Sequence, residues 1–586
     1  MRINYSRDSL ISEQGMKLLR DYYMKSEDKS PQDALARTAR FFASDAKHAQ
    51  RIYDAVSKQY FMFSSPILSN SNEGKGLPIS CFLSYVPDTI EGLIEHESET
   101  EWLSIFGGGV GGHWDAVRSV DKKSPGPIPF MHSIDGSMTA YKQGETRKGA
   151  YAAYLGTSHP SINEFLQVRV PTGGDINRKC MNIHNAVNMT DDFMEAVKYD
   201  QSWDLLCPKK NTTVKTERAR DIWESSLTTR HRTGEPYMNF IDTANKYLHP
   251  AQKALGLKIH GSNLCNEIHL VTNEERTAVC CLSSLNLELY DEWKDIGLVA
   301  DLVEFLDNVL DHFIAKAPDV IAKARYAAMR SRDIGIGAMG WHGMLMKRSI
   351  PFESDAALAL TESVFSDINR QGKDASLALA YLRGACPDAR ETGYPDRNLH
   401  IFAIAPNANS SILCNATPSI EPISSNAYAH RTRAGTHLVV NPILMDVLRT
   451  KAPHTTLSML GMTVDQWVDK QLEIVVRDDG SVRKLDCLND HEKAVFKTFK
   501  EINMEAVVMQ AGVRQRWLCQ GQSVNLHFPA ECEKSYFNHI HLLAHEQGLK
   551  GLYYVRTGSV GKTDKVSDEI LREALGDSEE CTACHS

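Results

Sequence analysis

From about residue 61 to 565 the chain alternates short apolar runs, bounded by Gly, Pro, Asn or Ser, with longer stretches whose apolar residues recur at helical spacing. This alternation is the strongest constraint on the fold, because strand-length runs separated by helix-length connections favour an α/β architecture built on a mainly parallel sheet. The candidate strands are CFLSYV (81–86), YAAYL (151–155), AVNM (186–189), IHLV (268–271), IFAIA (401–405) and GLYYVR (551–556). Helical periodicity is clearest at 300–329 and at 531–548, where Gly548 reads as the stop. Residues 1–60 read as an amphipathic helical preface, with MKLLRDYYMK (16–25) and ALARTARFFASDAKHAQRIYDAV (34–56). The stretch from 571 to 586, LREALGDSEECTACHS, is small, polar and acidic and is expected to be a mobile tail. The division is therefore 1–60 helical, 61–570 α/β domain, and 571–586 tail.

Charge and cysteine usage narrow the class. A formal net charge of -9 argues against a nonspecific nucleic-acid binder, which needs a basic excess to neutralise phosphates. No segment approaches eighteen uninterrupted apolar residues, and the first fifteen residues lack a signal-peptide pattern, so a cytoplasmic protein off the membrane is expected. Thirteen cysteines in that compartment are reduced and need individual explanations.

Several of them sit where chemistry is plausible. In Ser262-Asn263-Leu264-Cys265-Asn266-Glu267, extended backbone would send Asn263, Cys265 and Glu267 to one side, so that a carboxamide, a thiol and a carboxylate face a common ligand. Cys81 and the adjacent Cys280 and Cys281 lie in apolar, strand-like segments able to deliver a thiol to an interior site. Zinc is disfavoured, because these cysteines are isolated or adjacent and lack paired ligand spacing. His541 and His545 have i, i+4 spacing but no intervening metalloprotease glutamate, and read as an ordinary helix face. The run Gly107-Gly108-Gly109-Val110-Gly111-Gly112 contains a G-x-G-x-x-G pattern, but ETEWLSIF before it is poorly strand-like and no following helix is signalled, so a dinucleotide fold is set aside.

Taken in order, SCFL, SNLCNEI, AVCCLSSLNL and GLYYVR resemble the class I ribonucleotide reductase large subunits. The similarity extends through FSSPILSN (63–70), RKGAYAAYL (147–155), HPSINEF (159–165), GEPYMNFIDTANK (234–246), RDIGIGAMGWHG (332–343), PNANSSI (406–412), SIEP (419–422) and RQRWLCQGQSVNL (514–526). It implies a ten-stranded α/β barrel threaded by a loop that holds the reactive cysteine at its centre. Cys265 matches the residue that becomes a thiyl radical and takes the ribose 3′-hydrogen. Glu267 matches the base for the 3′-hydroxyl and Asn263 the amide that holds the developing carbonyl. Cys81 and Cys280 match the pair that closes to a disulfide as the 2′-hydroxyl leaves; Cys281 stands beside Cys280, and which of the two partners Cys81 is left open. Cys581 and Cys584 match a shuttle that reopens the disulfide and is itself reduced by a thioredoxin or glutaredoxin-like protein.

The same resemblance places substrate phosphate at Ser65, Ser80 and the turn Asn407, Ala408, Asn409, Ser410 and Ser411, with Gly108 and Gly109 as close-packed backbone beside the substrate. Asn407 departs from the more usual Pro-Thr-x-Ser pattern. Asp88 and Arg118, with Gln143, Arg147 and Lys148 in a loop at 143–151, match the site where dNTP or ATP effectors set substrate choice. About 60 residues leave no room for an N-terminal ATP cone, so overall on/off control is expected to be missing. Tyr553 and Tyr554 match a radical relay from a separate di-metal small subunit, and no cofactor is expected within this chain. A homodimer is expected. Two other readings are an adenosylcobalamin-dependent class II reductase, which the Tyr553-Tyr554 pair opposes, and a nonenzymatic nucleotide-binding regulator, which has no need of the cysteines, Glu267 or Asn263.

Overall fold

The computed structural model describes residues 1–72, 76–141, 149–432, 435–459 and 461–558, and their side chains except at 429–432 and 435–438. The preface is helical as its periodicity predicts, but residues 34–56 form two helices, α1 (Pro31–Phe42) and α2 (Ala46–Ser57). Asp45 makes the break, because its carboxylate accepts the amides of Lys47 and His48 at 2.7 and 2.8 Å and so starts a new helix.

Nine strands among the described residues form one sheet: β1 (Phe61–Phe63), β2 (Cys81–Tyr85), β3 (Gly109–His113), β4 (Tyr151–Gly156), β5 (His184–Met189), β6 (Tyr237–Phe240), β7 (Ala278–Asn286), β8 (Ile334–Met339) and β9 (Gly551–Leu552). Strands β2 to β6 pair in succession, all parallel, as the alternation predicts. The flanks differ. β7 runs antiparallel to β1 and β2, which lie end to end along one of its edges, and parallel to β8 on the other; β9 is antiparallel to β6.

Among the described residues this sheet therefore holds nine regular strands. Residues 401–405, expected as a strand, make only isolated bridges, Phe402 to Ile336 and Ile404 to Gln522. The amides of Ile401 and Phe402 both donate to Cys519 Sγ, at 3.0 and 3.1 Å, which takes them out of a regular ladder. Backbone bonds still continue past β8, from Ile336 N to Ile401 O, from Ile404 N to Gly521 O and from Tyr553 N to Val524 O. The expected strand at 268–271 is irregular and belongs to a loop inside the curve of the sheet.

Helices cover the outside. The glycine-rich run follows α3 (Ile90–Ile105) and forms β3, so the order is helix, turn, strand, the reverse of a dinucleotide-binding turn. The long pattern at 300–329 is α4 (Leu298–Lys316) and α5 (Ala322–Ser331), parted because Pro318 forces Ala317 into extended backbone. A short helix, α6 (Ala408–Leu413), follows Asn407, and α7 (Lys534–Glu546) is ended by Gly548 at φ 71°.

Strand alternation divides the core in two. Phe82, Tyr151, Ala153 and Leu155 face the helices, whereas Cys81, Leu83, Ala152 and Tyr154 face inward. Inside they meet Leu264, Cys265, Ile268 and Leu270 of the loop. The loop lies against β3 because Gly111 is there: a Cβ on it would stand 2.0 Å from Ser262 O, and one on Gly261 would stand 2.4 Å from the His113 ring. Gly111→Ala is expected to cost about 2 kcal/mol or more, since the clash is with backbone. Gly136→Ala, with open space around the new methyl, should shift stability by less than about 1 kcal/mol. Thermal unfolding of the two variants checks this; equal melting points would contradict the tight seat of the loop.

Candidate active site

The loop between β6 and β7 does not run extended through Cys265. Asn266 adopts φ 60° and its amide returns to Asn263 O at 3.3 Å, so Asn263, Cys265 and Glu267 lie on a turn and not on an extended strand. Asn tolerates the left-handed region better than most residues, and its side chain fixes the turn: Asn266 Nδ2 donates to Met238 O at 2.9 Å and Leu552 O at 3.2 Å. Other walls hold the loop backbone as well. Tyr154 donates to Asn263 O, Ser523 donates to Cys265 O at 2.7 Å, and the Gly521 amide donates to Glu267 O at 2.7 Å.

This places Cys265, fully buried, at the meeting point of two side-chain paths. On one side Tyr553 Oη is 3.4 Å from Cys265 Sγ. The strand breaks at Tyr553 and Tyr554, which lets both rings lie on one side, with centroids 4.3 Å apart; they are tilted by 54° and not stacked as expected. Tyr237 of β6 touches both, with centroids 4.8 and 5.0 Å away.

On the other side Asn263 Nδ2 lies 3.5 Å from Cys81 Sγ, while its Oδ1 accepts the amides of Glu267 and Ile268 at 3.1 Å each. Cys81 on β2 and Cys280 on β7 are direct cross-strand partners. Cys281 points to the opposite face, its thiol 3.5 Å from Leu306 O on α4, so the residue facing Cys81 is Cys280. Burial, with Cys281 and Cys81 nearby, pushes the Cys280 thiol far above its ordinary range, so it is a neutral thiol at physiological pH. Glu267 is buried, with Oε2 3.3 Å from Ser523 Oγ.

Gly109 pairs with Cys81 in register, and Gly108 is packed so closely that a Cβ would stand 2.2 Å from the Phe82 ring. Ser80 Oγ is 3.5 Å from Cys81 Sγ. At the start of α6 the Asn407 side chain is committed inward, accepting Ser284 Oγ at 2.7 Å and donating to Ala338 O at 2.9 Å. Ser411 turns back to Ala408 O, whereas Asn409 Nδ2 reaches Tyr23 Oη at 3.2 Å and Tyr23 Oη is 2.7 Å from Ser65 Oγ. Ser410 is buried in the same turn. Tyr23, from the helical preface, thus joins two predicted phosphate-side residues that are far apart in sequence.

Asp88 and Arg118 form a two-pronged ion pair, Nε to Oδ2 2.8 Å and Nε to Oδ1 3.0 Å. Gln143, Arg147, Lys148, Cys581 and Cys584 lie outside the described residues. His541 and His545 engage different partners, Arg230 at 3.0 Å and Asp191 at 2.9 Å. Among the described residues no cluster of three or more His, Cys, Asp or Glu could hold a metal, and no helix is long and apolar enough to cross a membrane. Sequence reasoning gave no role to Ser523, Tyr237 or Tyr23; the first two lie inside recognised motifs, whereas nothing local marks Tyr23.

Comparison with known proteins agrees with this geometry. Residues 79–396 and 388–555 match the family described as "Ribonucleotide reductase, barrel domain", and residues 9–76 match "Ribonucleotide reductase, all-alpha domain". The chain is 50% identical over 539 residues to the protein assigned as ribonucleoside-diphosphate reductase large subunit in Frog virus 3, covering 92% of each. It is 39% identical over 639 residues to the ribonucleoside-diphosphate reductase large subunit of Invertebrate iridescent virus 3, covering 99% of each. The solved class Id ribonucleotide reductase alpha subunit of Actinobacillus ureae superposes with a TM-score of 0.83 at 30% identity, over 95% of this chain and 99% of that one. An all-helical preface, a curled sheet around a buried cysteine loop and these matches together show that the chain belongs to the class I ribonucleotide reductases, as a ribonucleoside-diphosphate reductase large subunit.

Proposed function

We propose that this reductase works through a thiyl radical on Cys265, reached from a di-metal small subunit by way of Tyr554 and Tyr553, with Cys81 and Cys280 as the two-electron reductant. The observation that carries the reading is the position of Cys265 Sγ, 3.4 Å from Tyr553 Oη and on the same inner face as the Cys81–Cys280 register pair. Tyr553 can take the Cys265 hydrogen directly. The thiyl radical then takes the ribose 3′-hydrogen, Glu267 accepts the 3′-hydroxyl proton, and Asn263 Nδ2 donates to the developing carbonyl oxygen. The 2′-hydroxyl leaves as water with a proton, Cys81 and Cys280 supply two electrons and close to a disulfide, and Cys265 returns its hydrogen to C3′.

The wider assignments follow the same reading. The ten-stranded barrel is supported by the backbone bonds that continue from β8 through 401–405 and 521–524 to Tyr553. Substrate phosphate binds between Ser65, Ser80 and the Asn407–Ser411 turn, where the buried Ser64 hydroxyl also has no hydrogen-bond partner among the described residues. Asp88 and Arg118, with Gln143, Arg147 and Lys148, bind the dNTP or ATP effector. The exposed Ile90, Ile94 and Trp102 of the neighbouring α3 suit a homodimer contact. Cys581 and Cys584 carry electrons from a thioredoxin or glutaredoxin-like protein to the disulfide.

Cys265→Ser should bind nucleotide normally and lose turnover, since a hydroxyl does not form an equivalent radical. Cys280→Ser should lose multiple turnover, whereas Cys281→Ser, altered on the far face, should keep most of it. Steady-state dNDP formation measures all three; the reverse order for Cys280 and Cys281 would contradict the register argument. Deleting 581–586 should leave one round of reduction per site and stop thioredoxin-driven recycling, as read by single-turnover against steady-state product. Unchanged thioredoxin-dependent turnover would remove the tail from the scheme.

A further inference from the structure

A disulfide is reopened only if one of its sulfurs leaves with the bonding electron pair, and a buried site resists the charge that this sulfur then carries. Cys280 stands in such a site. It is fully buried, and burial, with Cys281, Cys81 and the Asp333 carboxylate nearby, holds its thiol far above the ordinary range. A sulfur so placed is a poor leaving group unless a hydrogen-bond donor meets it.

Gln520, itself fully buried, supplies that donor. Its Nε2 lies 3.7 Å from Cys280 Sγ and donates at 3.0 Å to the carbonyl of Ile334, the first residue of β8. The carboxamide can sit only one way round, because a carbonyl accepts and the atom facing Ile334 O must therefore donate. The two N–H bonds of one nitrogen serve both contacts. The main chain is clamped as well: Gln520 N donates to Phe402 O at 3.1 Å, and its carbonyl accepts Gln515 Nε2 at 2.7 Å and Lys550 Nζ at 3.0 Å. Gly335 of β8 leaves room for the sulfur, since a Cβ there would stand 3.0 Å from Cys280 Sγ. Oε1 of Gln520 is buried with no hydrogen-bond partner among the described residues, so it is the nitrogen that fixes this side chain. Cys81 is met in the same way by Asn263 Nδ2 at 3.5 Å, and each sulfur of the pair thus faces one carboxamide N–H.

Resting on the reading of Cys81 and Cys280 as the reductant pair, we propose that Gln520 is a positioning residue for regeneration, holding Cys280 Sγ and stabilising it as the leaving thiolate each time the disulfide is reopened. A thiolate of the incoming dithiol attacks one sulfur of the pair, the Cys81–Cys280 bond breaks, and the other sulfur leaves with the electron pair. The second thiolate of the dithiol then attacks its own partner sulfur in the mixed disulfide, and the cysteine held there leaves in turn. Whichever sulfur is attacked first, Cys280 leaves once as a thiolate and then takes up a proton given up by the dithiol. The dithiol ends as a disulfide and Cys81 and Cys280 end as two thiols, so two electrons and two protons have moved inward. In the reduction of substrate Cys280 forms a bond and is not a leaving group, so Gln520 acts on one redox stage and not on the other.

The test uses the full chain with its small subunit, with Cys581 and Cys584 replaced by Ser so that exchange with the tail does not intervene. Gln520→Met fills the same space without a donor; Gln520→Leu takes its place if that variant does not fold. Prereduced chain should make the same amount of dNDP per site with or without the substitution. After that single round, reopening of the disulfide by dithiothreitol, followed as free thiols appear in quenched samples, should be about tenfold slower in the variant, the weak end of what one hydrogen bond to a charged atom contributes. A side chain that only capped Ile334 O and held the fold would lower the single-round yield and the reopening rate together. Reopening within about twofold of the unsubstituted chain, or a yield that falls in step with the rate, would overturn the role of Gln520 and leave the reductant pair in place. If no disulfide formed between Cys81 and Cys280 during the round, the reading of the pair would fall as well.

Discussion

The site depends on one close approach, the backbone of the cysteine loop lying against β3 where Gly111 has no side chain to hold it off. A loop inside a sheet is costly, because each buried carbonyl and amide must find a partner away from water. Here the partners come from the walls. His113 meets Ser262 O at 3.1 Å, Tyr154 meets Asn263 O, Ser523 meets Cys265 O and the Gly521 amide meets Glu267 O. Each such bond contributes about 1 kcal/mol net, but their joint effect is geometric: the loop has one seat, and Cys265 has one position between Tyr553 and the Cys81–Cys280 pair.

Burial then sets the chemical state of the groups around that seat. His113 is pushed down to about 3 and His269 far below its ordinary value by desolvation, so both rings are neutral at physiological pH. Burial raises Asp115, behind the same loop, to about 6. The Cys280 thiol is held neutral by the same cause. A buried interior of neutral groups suits hydrogen transfer, whereas the charged Glu235 and Arg169 stand at the outer end of the tyrosines. Strand register separates the two adjacent cysteines: side chains alternate along β7, so Cys280 looks into the interior and Cys281 into the packing of α4.

Much of this was legible in the residues themselves. The parallel run β2 to β6 follows from strand-length and helix-length alternation, and the stop of α7 follows from Gly548. The interior strands were less legible: IHLV has strand composition, yet serves a loop whose polar groups are satisfied by distant walls, and IFAIA lost its ladder to Cys519 Sγ, a partner 117 residues away. The extended backbone expected through Asn263, Cys265 and Glu267 is instead interrupted by the left-handed turn at Asn266. Composition also could not show that Tyr23 bridges Asn409 and Ser65, because that contact exists only once the helical preface docks on α6.

The most direct measurement is freeze-quench electron paramagnetic resonance on the chain with 3-aminotyrosine in place of Tyr553, mixed with small subunit, ribonucleoside diphosphate and effector. The expected result is an aminotyrosyl radical at position 553 that appears as an equal amount of small-subunit radical is lost, and that still forms when Cys265 is replaced by Ser. Absence of any radical at 553 under conditions where the unchanged protein turns over would contradict a path to Cys265 through Tyr553.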